Sequence, residues 1–335
     1  MNRNSHFNDW IWYGLLVLLA ILPAVPKVVG NGFSGHVLVL ILLYASMSQS
    51  WNILGGYCGQ VSFGHSVFFG IGAYGAGIAV VTCHATPWFG SLLGACAAAA
   101  VAMIISYPCF RLKGHYFAIA TFAIVEICNR LFMVWDKVGG AMGLDYPILP
   151  EGWRNFCWSS TKVGYYYGAL LLFILVFSVV RWFERHRFGY YLRAVREGQE
   201  TAESLGVNAT WVKLRAMALS AFLAALCGAF FVQYNYRVDP PMVMSMDMSM
   251  SFVLITVLGG VGTFLGPLLG ALVLIPLQEY SRAYLGHLGS GVDLIIFGLL
   301  IILVMVKQPG GIMGLLRAVS RAGHRAKEVK SDVHA

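Results

Sequence analysis

Long apolar runs separated by short polar stretches occupy almost the whole chain. A membrane-spanning helix needs roughly 20 mostly apolar residues, and ten runs approach that length. The pattern therefore predicts an all-α polytopic membrane protein with about ten transmembrane helices, in a single transmembrane domain over residues 1–335. The predicted spans cover residues 11–30, 37–54, 60–82, 88–110, 115–134, 163–183, 214–233, 249–264, 265–284 and 291–306.

Glycine-rich stretches mark three of these spans as short or broken. The third span contains five glycines between residues 64 and 77, and the eighth and ninth run together through LGGVGTFLGP at 258–267. Broken helices are tolerated in a membrane only where protein or water covers the freed backbone groups. We therefore expect these spans to lie against other helices or against a water-filled path.

Two glycine-rich stretches resemble each other. LGGYCGQVSFG at 54–64 and LGGVGTFLGP at 258–267 each place a Gly-Gly pair after an apolar helix, with a further glycine-rich helix after it. Two related halves that meet at a central path, as in many transporters, would produce such a repeat. Independent use of glycine in two tight turns would produce it equally well, and the sequence leaves both explanations open.

The composition agrees with a membrane protein and excludes a large soluble domain. Hydrophobic residues make up 58% of the chain and charged residues only 11%, whereas a soluble domain is about 25% charged. Cytoplasmic loops carry an excess of Lys and Arg. Sixteen of the 23 basic residues fall inside when the N-terminus is placed in the cytoplasm. We therefore expect both termini to be cytoplasmic, with a basic cytoplasmic tail at 307–335, and the net charge of +8 requires no nucleic-acid partner.

One charged, helix-forming segment interrupts the apolar pattern, at residues 187–208. Four of its apolar residues, Leu192, Val195, Ala202 and Leu205, follow one another at spacings of three, seven and three. Their spacing places them on one helical face, and the charged side chains point largely elsewhere. The segment is therefore predicted to be amphipathic.

Two glycines divide this segment. Gly198 interrupts the helical run, and Gly206 is typical of a helix C-cap. We therefore predict two short helices within a cytoplasmic loop over 184–213. Such helices either lie on anionic lipid or dock into another protein. Lipid headgroups would repel the acidic residues at 197–203, and an exposed small side chain at Ala202 suits docking, so we favour a protein partner.

Polar side chains also lie at the start of the third span, at Gln60, Ser62 and His65. Such side chains are expensive in hydrocarbon and usually face the interior of a helix bundle or a pore. Together with Gly64 they indicate either a tight, hydrogen-bonded helix contact or the wall of a path across the membrane. For His65 we expect a neutral, internally hydrogen-bonded ring in preference to a metal ligand or a proton relay.

An intramembrane carboxylate, Glu126, lies four residues before Arg130 in the fifth span. Side chains at this spacing meet on one helix face, so Glu126 either neutralises Arg130 or contacts a substrate. The sequence contains no G-x-x-x-x-G-K-[ST] phosphate loop, no H-E-x-x-H pair and no G-x-S-x-G motif. We therefore expect no catalytic residue, no metal site and no nucleotide cofactor on this chain.

Four stretches, in order along the chain, resemble the LivM-type permeases of bacterial branched-chain amino-acid ABC importers. They are SWNILGGYCGQVSFGHSVFFGIGAYGAG at 50–77, RFGYYLRAVREGQETAESLGVNATWVKLRAMALSAFLAALCGAFF at 187–231, VLGGVGTFLGPLLGA at 257–271 and QPGGIMGLL at 308–316. The second of these stretches is the most specific. It departs from the usual pattern at Gly198, where Asn or Asp is more common, and at Thr201, where Ala is.

The resemblance implies a multi-pass permease subunit of an ATP-driven importer in the bacterial inner membrane, and not an enzyme. Its implied partners are a second homologous permease, two cytoplasmic ATPase subunits that bind ATP and Mg, a periplasmic substrate-binding protein, and membrane lipid. The charged loop would dock on the ATPase through the coupling residues Arg193, Ala194, Arg196, Glu197, Ala202, Glu203, Leu205 and Gly206. The translocation path would be lined by Gln60, Ser62, Gly64, His65, Glu126, Gly259 and Gly260.

The resemblance favours branched-chain amino acids as substrates, although related permeases carry urea or short amides. A stand-alone secondary carrier is the rival class, and Glu126 is its one serious candidate for a coupling residue. For an ATP-driven importer, we expect Ala202→Trp or Glu203→Arg to uncouple ATP hydrolysis from transport without unfolding the helices.

Overall fold

The computed structural model describes most of the chain between residues 32 and 285. The predicted spans at 11–30 and 291–306 and the tail at 307–335 lie largely outside the described residues, so the total of ten spans stays a prediction. The described residues are 14, 18–21, 32–112, 114–147, 150–158, 162–285, 298–299, 302 and 310–315.

Helices account for most of the described chain, which confirms an all-α polytopic membrane protein. Six helices within these ranges are long and apolar enough to cross a membrane. A π-helical segment, Ile53–Tyr57, continues the first long helix. The described helices are α1 (Gly32–Asn52), α2 (His65–Val81), α3 (Pro87–Cys109), α4 (His115–Val134), α5 (Lys162–Arg185), α6 (Arg187–Glu197), α7 (Gln199–Ser204), α8 (Ala209–Asn235), α9 (Pro240–Val243), α10 (Met246–Gly259) and α11 (Gly266–Leu285).

The apolar runs predict the middle helices well. The helices α3, α4 and α5 begin and end within two residues of the predicted spans 88–110, 115–134 and 163–183. The prediction for 249–264 is wrong at its end, because α10 stops at Gly259. Gly260 then adopts φ +128°, a left-handed backbone that favours glycine and reverses the chain.

The centre of the bundle is α8, which packs against α2 and α3. Its contact with α2 is made through glycines. A Cβ atom on Gly228 of α8 would lie 1.9 Å from the carbonyl oxygen of Phe69 in α2, and one on Gly72 would lie 2.0 Å from that of Ala225. Small residues let helix backbones approach this closely. The glycines of α2 therefore serve close packing within a regular helix. The break in the third predicted span falls earlier, in residues 58–64.

Two ends of the bundle can be distinguished by their connections. One carries α6 and α7, and we call it the α6–α7 end. At the opposite end, β1 (Leu144–Asp145) pairs antiparallel with β2 (Arg237–Val238) and ties the loop after α4 to the end of α8. This small sheet was not predicted from the sequence. Aromatic rings cluster beside it, as is typical of a membrane–water interface, at Trp88, Trp153, Phe156 and Trp158.

Candidate functional site

The charged segment forms two short helices, as predicted. Gly198 is extended, with φ 179°, and separates α6 from α7. Gly206 has φ +85°. Its N–H donates to the carbonyl of Glu203, and the N–H of Val207 donates to that of Ala202, at 2.9 and 3.0 Å. This pair of bonds is a Schellman motif, so Gly206 ends α7 as predicted.

Two predictions about α7 are wrong. Ala202 is not exposed, and it does not share an apolar face with Leu205. Ala202 is buried, with 2% of its surface exposed, whereas Leu205 is 79% exposed. The helical spacing does not carry across the break at Gly198, and α7 is only six residues long. Ala202 therefore packs inward from α7, while Leu205 follows the last helical residue and projects outward.

Exposed apolar side chains surround a cavity of about 430 Å³ beside this turn. Tyr191, Leu205 and Trp211 line it, and all three are exposed. Arg215 also lines the cavity and places a positive charge beside these apolar groups. The α6–α7 end therefore presents an apolar depression within a polar, charged surface.

Arg196 connects α6 to the membrane-embedded helices. Its Nη1 donates a hydrogen bond to the carbonyl oxygen of Gly56, at 2.7 Å, in the π-helical segment. A Cβ atom added to Gly262 would lie 2.3 Å from the same Nη1. The guanidinium group thus lies between the two glycine turns that follow α1 and α10.

A second connection runs through Glu184, a residue that sequence reasoning missed. Its carboxylate accepts a hydrogen bond from the hydroxyl of Tyr57 at 2.8 Å and lies 3.6 Å from Nη2 of Arg193. Nη1 of Arg181 lies 3.4 Å away. Glu184 is mostly buried at the end of α5. The sequence did carry a signal for Glu184, which is its position as an acidic residue among several Arg residues at a helix end.

The two glycine turns contact each other, so the segments of the weak repeat meet in space. The Asn52 side chain accepts a hydrogen bond from the N–H of Gly262 at 2.8 Å and donates one to the carbonyl of Thr263 at 3.0 Å. A Cβ atom on Gly56 would lie 2.6 Å from the nitrogen of Gly262. This contact is compatible with both explanations of the repeat. Gly259 itself packs against α11, since its Cβ atom would lie 1.8 Å from the carbonyl oxygen of Gly266, and the Cβ atom of Gly260 would lie 3.0 Å from Met313 Cβ.

A column of buried polar groups runs from these turns into the bundle. His65 Nε2 lies 2.7 Å from the hydroxyl of Ser220, which donates to the carbonyl of Ser50 at 2.6 Å. Ser62 accepts hydrogen bonds from the backbone of Gly64 and from the indole of Trp51. His65 is therefore internally hydrogen-bonded, as expected, and Ser62, Gly64 and His65 lie together.

Three fully buried polar atoms beside this column have no hydrogen-bond partner among the described residues. They are Oγ of Ser48, Nε2 of Gln49 and Nδ1 of His65. Buried polar groups are normally paired. These three atoms are thus sites where water or a polar substrate would bind if the column opened.

Gln60 lies outside the column, at the α6–α7 end. It is partly buried and lines a cavity of about 530 Å³ together with Gly198, Glu203 and Lys213. Lys213 donates a hydrogen bond to the Gln199 side chain at 2.7 Å, which joins α8 to α7. Gln60 therefore faces the loop helices.

Glu126 is not brought together with the other predicted path residues. Nε of Arg130 lies 2.8 Å from its carboxylate, as the spacing predicts, and the two side chains are 54% and 73% exposed. Val125 and Asn129 on the other face of α4 are buried. Glu126 thus lies on the outer face of the described chain, away from the polar column.

Cys58 lies between the π-helical segment and α2, close to these groups. Burial raises the pKa of its thiol to about 12, and the positive charge of Lys213 opposes this shift. A thiolate is the reactive form of cysteine. Cys58 therefore stays a protonated, unreactive side chain within the packed turn.

Comparison with known proteins identifies the class. The family model for the permease component of branched-chain amino acid transport systems matches residues 34–305. The chain belongs to this family. It is therefore a transport permease subunit, as the resemblance implied.

Relatives of this permease cover most of its length. It is 27% identical over 326 residues to the high-affinity branched-chain amino acid permease protein LivM of Salmonella typhimurium, covering 90% of this chain and 75% of the relative. The LivM protein of Escherichia coli K12 matches at the same identity and coverage. The LivH permease protein of Salmonella typhimurium is 25% identical, over 81% of this chain and 91% of the relative. No solved structure matches.

Proposed function

We propose that this permease belongs to an ATP-driven importer of branched-chain amino acids in the bacterial inner membrane, with both termini in the cytoplasm. Two cytoplasmic ATPase subunits would hydrolyse ATP with Mg, and this chain would bind neither. A periplasmic binding protein would deliver the substrate. The observation that carries the proposal is the apolar depression on α6–α7, on a segment anchored to the buried helices.

The depression is suited to docking an ATPase subunit. Tyr191, Leu205 and Trp211 offer apolar area, and aromatic residues of this kind dominate the binding energy of protein interfaces. The coupling residues that the resemblance implies around it remain candidates; they are Arg193, Ala194, Arg196, Glu197, Glu203 and Gly206. Ala202 would act indirectly, by packing α7 onto the bundle, because it is buried.

The buried polar column is the proposed translocation path in its closed arrangement. Ser62, Gly64 and His65 would line the path, with Gly259 and Gly260 at its cytoplasmic mouth and Gln60 just outside. Movement of α6 and α7 on ATP binding would separate the glycine turns and admit water or substrate to the unpartnered polar atoms. Substrate would then pass by alternating access.

A second homologous permease would cover the outer face of α4. Glu126 lies about 12 Å from the end of α4, at 1.5 Å per residue, and a charged side chain at membrane depth usually faces protein or water rather than lipid. Matches to both LivM and LivH permease proteins are consistent with two different permeases in such systems. In this arrangement Glu126 would reach the path from the interface between the two permeases.

Branched-chain amino acids are the proposed substrates because the names of the matched relatives specify branched-chain amino acid transport. Urea or short amides are the alternative within the same family. The secondary-carrier class has less support, because Glu126 lies on an outer face and pairs with Arg130.

The test is purification of the complex from its native membrane, with Leu205→Asp as the variant. We expect two ATPase subunits and a second permease to purify with the wild-type chain, and we expect Leu205→Asp to lose the ATPase subunits. A charge at the centre of an apolar docking site typically costs at least tenfold in affinity. ATP-dependent leucine uptake in vesicles should fall in parallel.

Leu112→Asp is the matched control, because Leu112 is an exposed apolar residue just after α3, at the same end of the bundle but outside the depression. It should keep the ATPase subunits bound. Uptake that survives ATP depletion in the wild-type protein, and is abolished by Glu126→Gln, would instead establish the secondary carrier.

A further inference from the structure

Arg196 makes contacts that a docking residue alone would not need. Its guanidinium Nη1 bonds the carbonyl of Gly56 at 2.7 Å, although Arg196 itself belongs to the amphipathic loop helix. The bond spans 140 residues of sequence. It joins the segment proposed to meet the ATPase directly to the backbone proposed to close the path.

Both glycine turns are shaped around this one side chain. Gly262 has φ +72°, and a Cβ atom there would lie 2.3 Å from Arg196 Nη1. Gly59 has φ +74°, and its Cβ atom would lie 3.0 Å from Arg196 Cγ. These positions favour glycine for backbone conformation and for space alike, and each turn therefore leaves room for the same arginine.

Electrostatics explains why a cation occupies this position. The π-helical segment ends at Tyr57 and α10 ends at Gly259, so two helix C-termini face each other here. Each C-terminus carries about half a negative elementary charge, and nearby cations stabilise it. A guanidinium between them satisfies a free carbonyl and reduces the repulsion between the two ends.

We propose that Arg196 is the residue that holds the two glycine turns together and releases them when α6 moves, which makes it the link between the ATPase and the gate. This inference rests on the proposed function. With Arg196 in place the turns stay in contact through Asn52 and the column is closed. When α6 withdraws the guanidinium, the two helix C-termini repel each other and the turns separate.

The test places spin labels on Val61→Cys and Val261→Cys, which are exposed positions beside the two turns. The exposed native cysteines Cys83 and Cys96 are replaced by Ser, and distances are measured in the whole complex with and without ATP. In the wild type we expect one short distance that lengthens when ATP is added. In Arg196→Ala we expect a broad distribution that ATP does not change.

The rate of ATP-driven uptake should change together with the distances between the spin labels. Arg196→Ala should lower ATP-driven uptake roughly tenfold or more, since a hydrogen bond from a charged donor is lost, while the ATPase subunits remain bound. Arg196→Lys should restore part of the uptake, because it keeps the charge without the planar fork. Arg111→Ala, which removes an exposed cation at the same membrane end, should behave as the wild type.

A glycine pair provides a second, independent measurement should Arg196→Ala fail to fold. Gly262→Ala should displace Arg196 and reproduce the broad, ATP-insensitive distances, since its Cβ would lie 2.3 Å from Arg196 Nη1 and 2.9 Å from the Gly56 carbonyl oxygen. Gly114→Ala should not, because Gly114 also has a positive φ, +56°, but its Cβ would meet no atom within 4 Å. Wild-type distances and uptake in Arg196→Ala or Gly262→Ala would overturn the proposal, as would loss of the ATPase from Arg196→Ala. A wild-type complex without ATPase subunits would instead overturn the proposed function.

Discussion

At the scale of single residues, Glu184 holds the junction between the loop helices and the bundle. Its mostly buried carboxylate contacts Tyr57 at the end of the π-helical segment and Arg193 on α6. A buried polar group that loses its partner destabilises a protein more than its hydrogen bond alone stabilised it. The junction therefore depends on this carboxylate more than on the exposed charges around it.

Glu184→Ala should lower the free energy of unfolding by roughly 1–3 kcal/mol, because it leaves the buried Tyr57 hydroxyl without its acceptor. Thermal unfolding in mild detergent measures the change. Glu197→Ala, an exposed acidic residue on α6, should change it by less than about 0.5 kcal/mol. Equal losses in the two variants would contradict a special role for Glu184.

Single positions were also where sequence reasoning failed. The spacing of Ala202 and Leu205 predicted one shared face, but it assumed a helix axis that Gly198 interrupts. The contact between Arg196 and Gly56 could not be read from the sequence, because it joins residues far apart in the chain. For this reason Ala202→Trp is no longer a clean uncoupling variant, and Leu205→Asp replaces it.

At the scale of helices, close packing at glycine fixes the arrangement of α2 and α8. Gly228 lies against the backbone of Phe69, and backbone atoms cannot rotate away as a flexible side chain can. The two helices are thus held at a separation that only glycine permits.

Gly228→Ala should destabilise the bundle by roughly 1–3 kcal/mol, the usual cost of overpacking a core. We expect a lower melting temperature in detergent and a smaller folded yield. Gly77→Ala on α2 is the control, because its added methyl group would make ordinary contacts. A stable Gly228→Ala protein would mean that α2 and α8 can separate at little cost.

Helices were the most predictable part of the fold, because their apolar runs are long. The bounds of α4 match the predicted span 115–134 at both ends. Two features escaped prediction because neighbouring segments determine them. The π-helical segment looks like ordinary helix, and β1 and β2 are two residues each, too short for a periodic pattern.

At the scale of the whole molecule, one outer face of the described chain is poorly suited to contact lipid. The outer face of α4 carries the ion pair of Glu126 and Arg130 among exposed apolar residues such as Ile119 and Ile127. A second permease that covered this face would remove the charged pair from lipid.

Ile127→Cys, labelled with a photoactivatable maleimide in a background without the native cysteines, should cross-link to the second permease in native membranes on irradiation, because the photoprobe needs no thiol on its partner. Leu171→Cys, an exposed residue on α5, is the matched control and should not cross-link. Mass spectrometry identifies the cross-linked chain. Cross-linking at Leu171 and none at Ile127 would move the interface to α5.

The weak glycine repeat shows how much of the arrangement of the whole molecule could be predicted from the sequence. Similar glycine pairs at 54–64 and 258–267 raised the possibility that two halves meet, and the structure brings these turns into contact through Asn52. Sequence similarity alone could not predict this contact, because glycine serves ordinary turns as often.

The strand pair at the far end has a mechanical consequence. β2 follows α8 directly, and α8 is 27 residues long, or about 40 Å. At the other end of α8, Lys213 donates a hydrogen bond to the side chain of Gln199 in α7. A single continuous helix therefore joins the β1 loop to the loop helices. Under the proposed function, a force on the β1 loop would reach the ATPase docking site through α8.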